Sequence, residues 1–259
     1  MKLRLCLLVV FVCTLSASAC SGSEKPTYLA LGDSFGIGAG ASNSGNGYVP
    51  LLFSFLEKDT KKDVSLRNLA VSGETTASMI AGGQLGKALA ELRFRNQDND
   101  HKNDVFVITI DIGINDLNAL TAAGQPCAPP IDTRSAACAA ATTSVMNETA
   151  QNLTSILHSL RVAAGPDAKM LIVNCFNSYS GTGKPLDATE DALLPLLNEK
   201  ISQVAALSDV DAKVADAFDA FDGKGAELTS VSGPTGDFHP NDAGHRVIAD
   251  LLIAAYNEQ

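Results

Sequence analysis

Short apolar runs alternate with longer amphipathic stretches along this chain. Tyr28 to Leu31, Val64 to Leu69, Asp104 to Ile110, Lys169 to Phe176 and Ala212 to Ala215 each read as a strand. The third is the strongest, being continuous and rich in β-branched residues. Between them, Tyr48 to Lys58, Thr76 to Arg95, Ala136 to Ala164, Asp187 to Leu207 and Asn241 to Tyr256 read as helices. The second breaks at Gly82-Gly83, and the last has Asn241 as its N-cap. Continuously apolar strands are buried on both faces, so the alternation predicts an α/β fold, with a mostly parallel, five-stranded sheet covered on both sides. Ligands of such sheets bind at the carboxyl ends of the strands. Gly113 to Ser135 is long and Pro-rich, and is expected to be a loop beside the site.

The first strand is preceded by a different pattern. Lys2 and Arg4 give a positive start, Leu5 to Leu15 is an apolar run too short to cross a bilayer comfortably, and Ala17-Ser18-Ala19 supplies small residues. These are the parts of a secretory signal peptide over residues 1–19. Cys20 follows at once, and the segment resembles a bacterial lipobox, in which such a cysteine becomes the lipidated first residue. Ala17 stands where a large aliphatic residue is usual, so lipidation at Cys20 and plain cleavage both remain open. Residues 20–26, with Ser21-Gly22-Ser23, read as a flexible linker, and 27–259 as one domain. The expectation is an exported, monomeric protein: a surface or periplasmic lipoprotein, or a secreted one.

Composition narrows the function. With 259 residues, 46% hydrophobic and 19% charged, the chain is long and apolar enough to bury a core. Lys+Arg number 19 against Asp+Glu 29, a net charge of −10 that disfavours a nucleic-acid backbone as partner. Membrane contact is expected only through the lipid anchor. Cys127 and Cys138 bracket PCAPPIDTRSAAC, and a disulfide there would stabilise the fold by roughly 3 kcal/mol. No histidine flanks either at metal-ligand spacing. Cys175 follows an apolar run and reads as a buried free thiol.

Chemistry collects at the strand exits. Gly32-Asp33-Ser34-Phe35-Gly36 follows the first strand, Asn68 to Gly73 the second, Gly113-Ile114-Asn115-Asp116 the third, and Asp237-Phe238-His239-Pro240 stands before the closing helix. A serine hydroxyl needs a neighbouring base to become a nucleophile, and an imidazole titrates near neutral pH. Glycine and asparagine supply uncharged donors for an oxyanion. Other motifs fail on context. Gly32 to Gly36 fits G-x-S-x-G, but the chain before it has no room for that fold's oxyanion loop. Gly36 to Ala41 lacks the acidic partner of a dinucleotide site, and Ser180 to Pro185 lacks the first glycine of a phosphate loop. Asp237, His239, Asp242 and His245 lack a metal spacing, so neither metal nor cofactor is expected.

These blocks, from Tyr28 to about Tyr256, resemble the SGNH hydrolases, the GDSL esterases and lipases. Gly32-Asp33-Ser34 matches the first family block, Gly73 the second, Gly113-Ile114-Asn115-Asp116 the third and His239-Pro240 the last. The resemblance implies a flavodoxin-like three-layer α/β/α sandwich and ester hydrolysis through an acyl-Ser34 intermediate. It implies an oxyanion hole made by the Ser34 and Gly73 N–H groups and the Asn115 amide, with His239 as base. The family usually has an aspartate three residues before the histidine. Here Gly236 stands there and Asp237 lies two before, so Asp237 or a backbone carbonyl orients the ring. Lipids, acetylated glycans and other small esters all fit such a site. An exported carbohydrate- or lipid-binding protein that kept the fold without the reaction is the alternative.

Overall fold

The computed structural model describes residues 25–98, 100–129 and 135–258; the predicted signal peptide and Cys20 lie outside them. Seven strands alternate with nine helices among the described residues. The first part of the chain is β1 (Thr27–Gly32), α1 (Tyr48–Thr60), β2 (Ser65–Asn68), α2 (Thr76–Ala81), α3 (Gln84–Asn96), β3 (Val105–Asp111) and α4 (Ile114–Thr121). Then come α5 (Ala136–Ala164), β4 (Lys169–Val173), α6 (Pro185–Ala205), β5 (Ala212–Ala215), α7 (Ala217–Phe221), α8 (Gly225–Leu228), β6 (Thr229–Ser230), β7 (Asp237–Pro240) and α9 (Asp242–Asn257).

Five strands form one sheet in the order β2-β1-β3-β4-β5, every pair parallel. All six residues of β1 are buried, as are Val107 to Asp111 of β3, which accounts for their continuous apolar sequence. Helices α1 and α9 pack on each other along one side, and α3, α5 and α6 pack together on the other. In the order 2-1-3-4-5 the chain reverses direction of travel between β1 and β3, and a crevice opens outside their carboxyl ends. Gly32 and Asp111 close those two strands as register partners, so everything after them faces that crevice.

Three points differ from the sequence reading. Gly113 to Ser135 is not loop throughout: Ile114–Thr121 is α4, whose Ile114, Leu117 and Leu120 are buried at helical spacing. Between β5 and α9, the chain forms two short helices and the antiparallel pair β6–β7. The predicted strand over Lys169 to Phe176 ends at Val173.

Candidate active site

Ser34 stands in the turn after β1 and is 6% exposed. Its Oγ lies 3.0 Å from His239 Nε2. The other ring nitrogen, Nδ1, lies 2.5 Å from Asp237 Oδ1, which also accepts the His239 backbone N–H at 3.0 Å. Asp237 and His239 both belong to β7. In an extended strand, residues two apart project to the same face, so an aspartate two before the histidine reaches the ring. Gly236, at φ 63°, is the turn residue that precedes this strand. Partial burial pushes the Asp237 carboxyl up, but the His239 backbone and ring hydrogen bonds outweigh it and hold the group below the ordinary carboxylate range.

Asn115 enters at the first turn of α4, just after β3. Its Nδ2 donates to Asp33 Oδ2 and to the Glu74 carbonyl, both at 3.0 Å. Both amide hydrogens are thereby engaged, so Asn115 ties the nucleophile turn to the Gly73-Glu74 turn. Gly73 has φ 75° and a clear space where a Cβ would stand. The Val71 N–H donates to the Gly32 carbonyl and the Glu74 N–H to that of Val71, fixing this turn against β1. Among the described residues, no protein acceptor takes the Ser34 or Gly73 N–H.

Behind Ser34 lies machinery that residue types alone did not disclose. Asp33 is fully buried and accepts the Phe35 N–H, while Asp111 Oδ2 accepts the Asp33 and Gly36 N–H groups. The Tyr48 hydroxyl donates to Asp111 Oδ1. Burial raises both carboxyls, and the Asp33 charge raises Asp111 further. Gly32 makes room for it: a Cβ there would stand 2.1 Å from Asp111 Oδ1. Gln84 grips the end of β1 from the other side, accepting the Gly32 N–H at 2.8 Å and donating to the Gly32 carbonyl at 3.0 Å. Asp116, the last residue of the third block, accepts the Thr76 N–H and hydroxyl and so holds the start of α2.

The remaining predicted residues fall outside the chemistry. Cys127 and Cys138 place their sulfurs at bonding distance, with Cα atoms 4.9 Å apart, joining the segment after α4 to the first turn of α5. Cys175 is a buried free thiol. His245 is fully buried, accepting the Tyr48 N–H on Nδ1 and donating Nε2–H to the Ala39 carbonyl. Burial lowers its pKa, so the ring is neutral. His101 and His158 each lie 3.0 Å from an aspartate, Asp104 and Asp209.

The sequence matches the family model for the GDSL-like lipase/acylhydrolase family over residues 30–247. No curated protein sequence matches it significantly. Among solved structures it is similar to the lipase Lip_vut3 from a goat rumen metagenome, with 21% identity, TM-score 0.66, and 89% of this chain and 97% of that one covered. It is similar to a variant of Axe2, an acetyl-xylooligosaccharide esterase of Geobacillus, with 16% identity, TM-score 0.60 and coverage of 90% and 95%. A phospholipase A1 from Streptomyces albidoflavus shares 20% identity at TM-score 0.59, with 89% and 99% covered. At these identities the structural likeness speaks for the fold.

Proposed function

Because the chain belongs to the GDSL-like lipase/acylhydrolase family and is a hydrolase acting on esters, we propose that it works through a covalent acyl-Ser34 intermediate. The observation that carries this reading is the chain of contacts from Ser34 Oγ to His239 Nε2 and from Nδ1 to Asp237. Asp237 accepts Nδ1–H and so leaves Nε2 free to take the Ser34 proton. Attack of Oγ on the ester carbonyl puts negative charge on its oxygen. The Ser34 and Gly73 N–H groups receive that charge, and Asn115 Nδ2 turns one hydrogen from the Glu74 carbonyl to it, since a charged acceptor binds a donor more strongly than a neutral one. The imidazolium then gives its proton to the departing alkoxide. Water, activated by the same ring, hydrolyses the acyl-serine and restores Ser34.

The substrate class proposed is a carboxylic ester of a small molecule, a lipid or an acetylated glycan. The leader pattern supports export, with Cys20 either lipidated or a processed terminus; the intact mass of the mature chain distinguishes them. The mechanism is tested with p-nitrophenyl acetate or butyrate. Ser34→Ala should lower kcat by roughly 10⁴ or more with an unchanged circular dichroism spectrum. Turnover retained by the purified variant would refute the assignment.

A further inference from the structure

Hydrogen bonds hold the His239 imidazole at its edges, and an aromatic ring covers a face. Nε2 meets Ser34 Oγ at 3.0 Å and Nδ1 meets Asp237 Oδ1 at 2.5 Å. The Phe238 ring stacks on the imidazole, with centroids 4.4 Å apart and planes at 25°. Phe35, next to the nucleophile, meets the same imidazole at 5.9 Å and 88°. Phe176 backs Phe35 at 5.1 Å, and Phe221 backs Phe176 at 3.9 Å. These three phenylalanines are buried, so the base stands against a fixed aromatic column. Phe238 is half-buried.

A regular strand does not bring these two rings together, because neighbouring residues point to opposite faces. Phe238 and His239 lie where the β6–β7 register shifts, between the paired Asp237 and Pro240. Such an irregularity re-aims side chains and lets adjacent rings meet. Phe238 also packs against the core and lines a hollow of about 260 Å³. Packing alone would be served nearly as well by a leucine or methionine. What an aliphatic side chain lacks is the negative face of a π-system.

That face acts when the base is charged. As the bond from Ser34 Oγ to the ester carbon forms, the Oγ proton passes to His239 Nε2. The ring is then an imidazolium until it gives the proton to the departing alkoxide. In deacylation a water proton charges the ring again, and Ser34 Oγ takes that proton as the acyl bond breaks. Asp237 meets this charge at one edge of the ring. A cation over an aromatic face and within about 6 Å of its centroid is attracted by the ring quadrupole, and the Phe238 stack meets that condition. We propose that Phe238 is a positioning residue of the catalytic base: its ring holds the plane of the His239 imidazole and stabilises the imidazolium formed in both half-reactions. The proposal rests on the acyl-Ser34 reading. A neutral imidazole gains less from the face, so the attraction favours the transition states over substrate binding.

The test separates the electronics of the ring from its packing. Fluorination withdraws electron density from the face with little change in volume. With p-nitrophenyl butyrate as substrate, replacing the Phe238 ring by its mono-, tri- and pentafluoro forms should lower kcat stepwise, by about tenfold at the last, with KM unchanged. Phe238→Tyr keeps the face and should stay within about twofold of wild type, whereas Phe238→Leu should lose about tenfold in kcat. The fluorinated rings keep the native shape, so the series decides the matter even if Phe238→Leu does not fold. A flat fluorine series, or Phe238→Leu with wild-type kcat, would overturn the proposal. A loss confined to KM would overturn it too, since it would place Phe238 in substrate binding instead. His239→Ala is the inactive reference. Wild-type turnover in His239→Ala would remove the acyl-enzyme mechanism and this proposal together, while a flat series beside an inactive His239→Ala removes the role of Phe238 alone.

Discussion

Asp237 is the residue on which sequence and structure meet most usefully. Its offset from the family position raises the question of whether it can reach His239, and the answer lies in backbone conformation. In an irregular loop a shift of one residue turns the side chain away; in the extended β7 a spacing of two brings it back. The alternation in Asp237-Phe238-His239 carried that signal, but four residues next to a proline are too short to identify as a strand. Asp237→Asn should keep the fold, favour the wrong tautomer and lower kcat by roughly 10⁴, as in a serine-protease triad. A loss of about tenfold or less in steady-state kinetics would leave a Ser34–His239 dyad. Because the Asp237 pKa is held down, its ionised form should persist to acid pH, so the acid limb of kcat/KM should not report this carboxyl in its ordinary range. Asp111 and Gln84 escaped the sequence reading because their partners lie far along the chain, and Glu190 because residue type says nothing about burial. Glu190 has its own consequence for stability. Its folded pKa of about 8 lies above the ordinary value of 4.5, so the folded state keeps a proton that the unfolded chain has lost. Stability should therefore fall as pH rises through that window, by an amount on the order of 4 kcal/mol, and Glu190→Gln should flatten the decline. Denaturant titrations of both proteins at about pH 5 and about pH 8 would show it, and parallel curves would not fit.

At the scale of elements, long periodic helices and the sheet strands, even four-residue β5, were readable, while the short helices α4, α7 and α8 and the pair β6–β7 were not. The α5 boundaries, Ala136 and Ala164, follow directly from the pattern, because Ser135 caps the start and Gly165-Pro166 ends it. The Gly82-Gly83 break separates α2 from α3 as expected, and Asn241 caps α9 through the Ala243 and Gly244 N–H groups. Helix α4 was missed because its eight residues, with Asn115 and Asp116 at the front, look like a turn followed by a Pro-rich stretch. The connection from β1 to α1 is held by contacts no periodicity encodes. His245 of α9 accepts the Tyr48 N–H at 3.3 Å, while Asp242 takes the Ser42 N–H and hydroxyl. Gly40 lets this connection pass close to β7: a Cβ there would stand 2.3 Å from the Pro240 carbonyl oxygen and 2.8 Å from His239 Cβ, at φ +86°. Gly40→Ala should therefore displace the base as well as strain the turn. We expect kcat to fall by at least about tenfold, with a loss of stability on the order of 1–3 kcal/mol. A variant with wild-type kcat would show that the connection does not position His239. The depressed His245 pKa adds an acid sensitivity, since the unfolded ring binds a proton near pH 6.5 that the folded ring refuses. Stability carried by this contact is present above that pH and is lost as pH falls towards the folded pKa.

For the whole molecule, topology explains why residues from Ser34 to His239 converge. The order β2-β1-β3-β4-β5 puts the exits of β1 and β3 on either side of one crevice, and β2 brings Gly73 to its edge. That convergence followed from the alternation of elements and the rule for parallel sheets, without any side-chain information. The joining of Cys127 to Cys138 belongs to this scale as well, because it clips the segment after α4 to α5. Reduction should lower the unfolding free energy by up to about 3 kcal/mol, seen as a lower Tm in thiol reductant. Alkylation of both cysteines in the unreduced, denatured protein would contradict the bond.

The account rests on Ser34 as the atom that becomes acylated. The most direct measurement is peptide mapping by mass spectrometry after treatment with a fluorophosphonate, which traps an activated serine as a stable phosphonyl ester. One adduct on Ser34 is predicted, with loss of ester turnover in proportion to labelling and no adduct in His239→Ala. An inactivated protein labelled at another residue, or full activity with Ser34 modified, would contradict it.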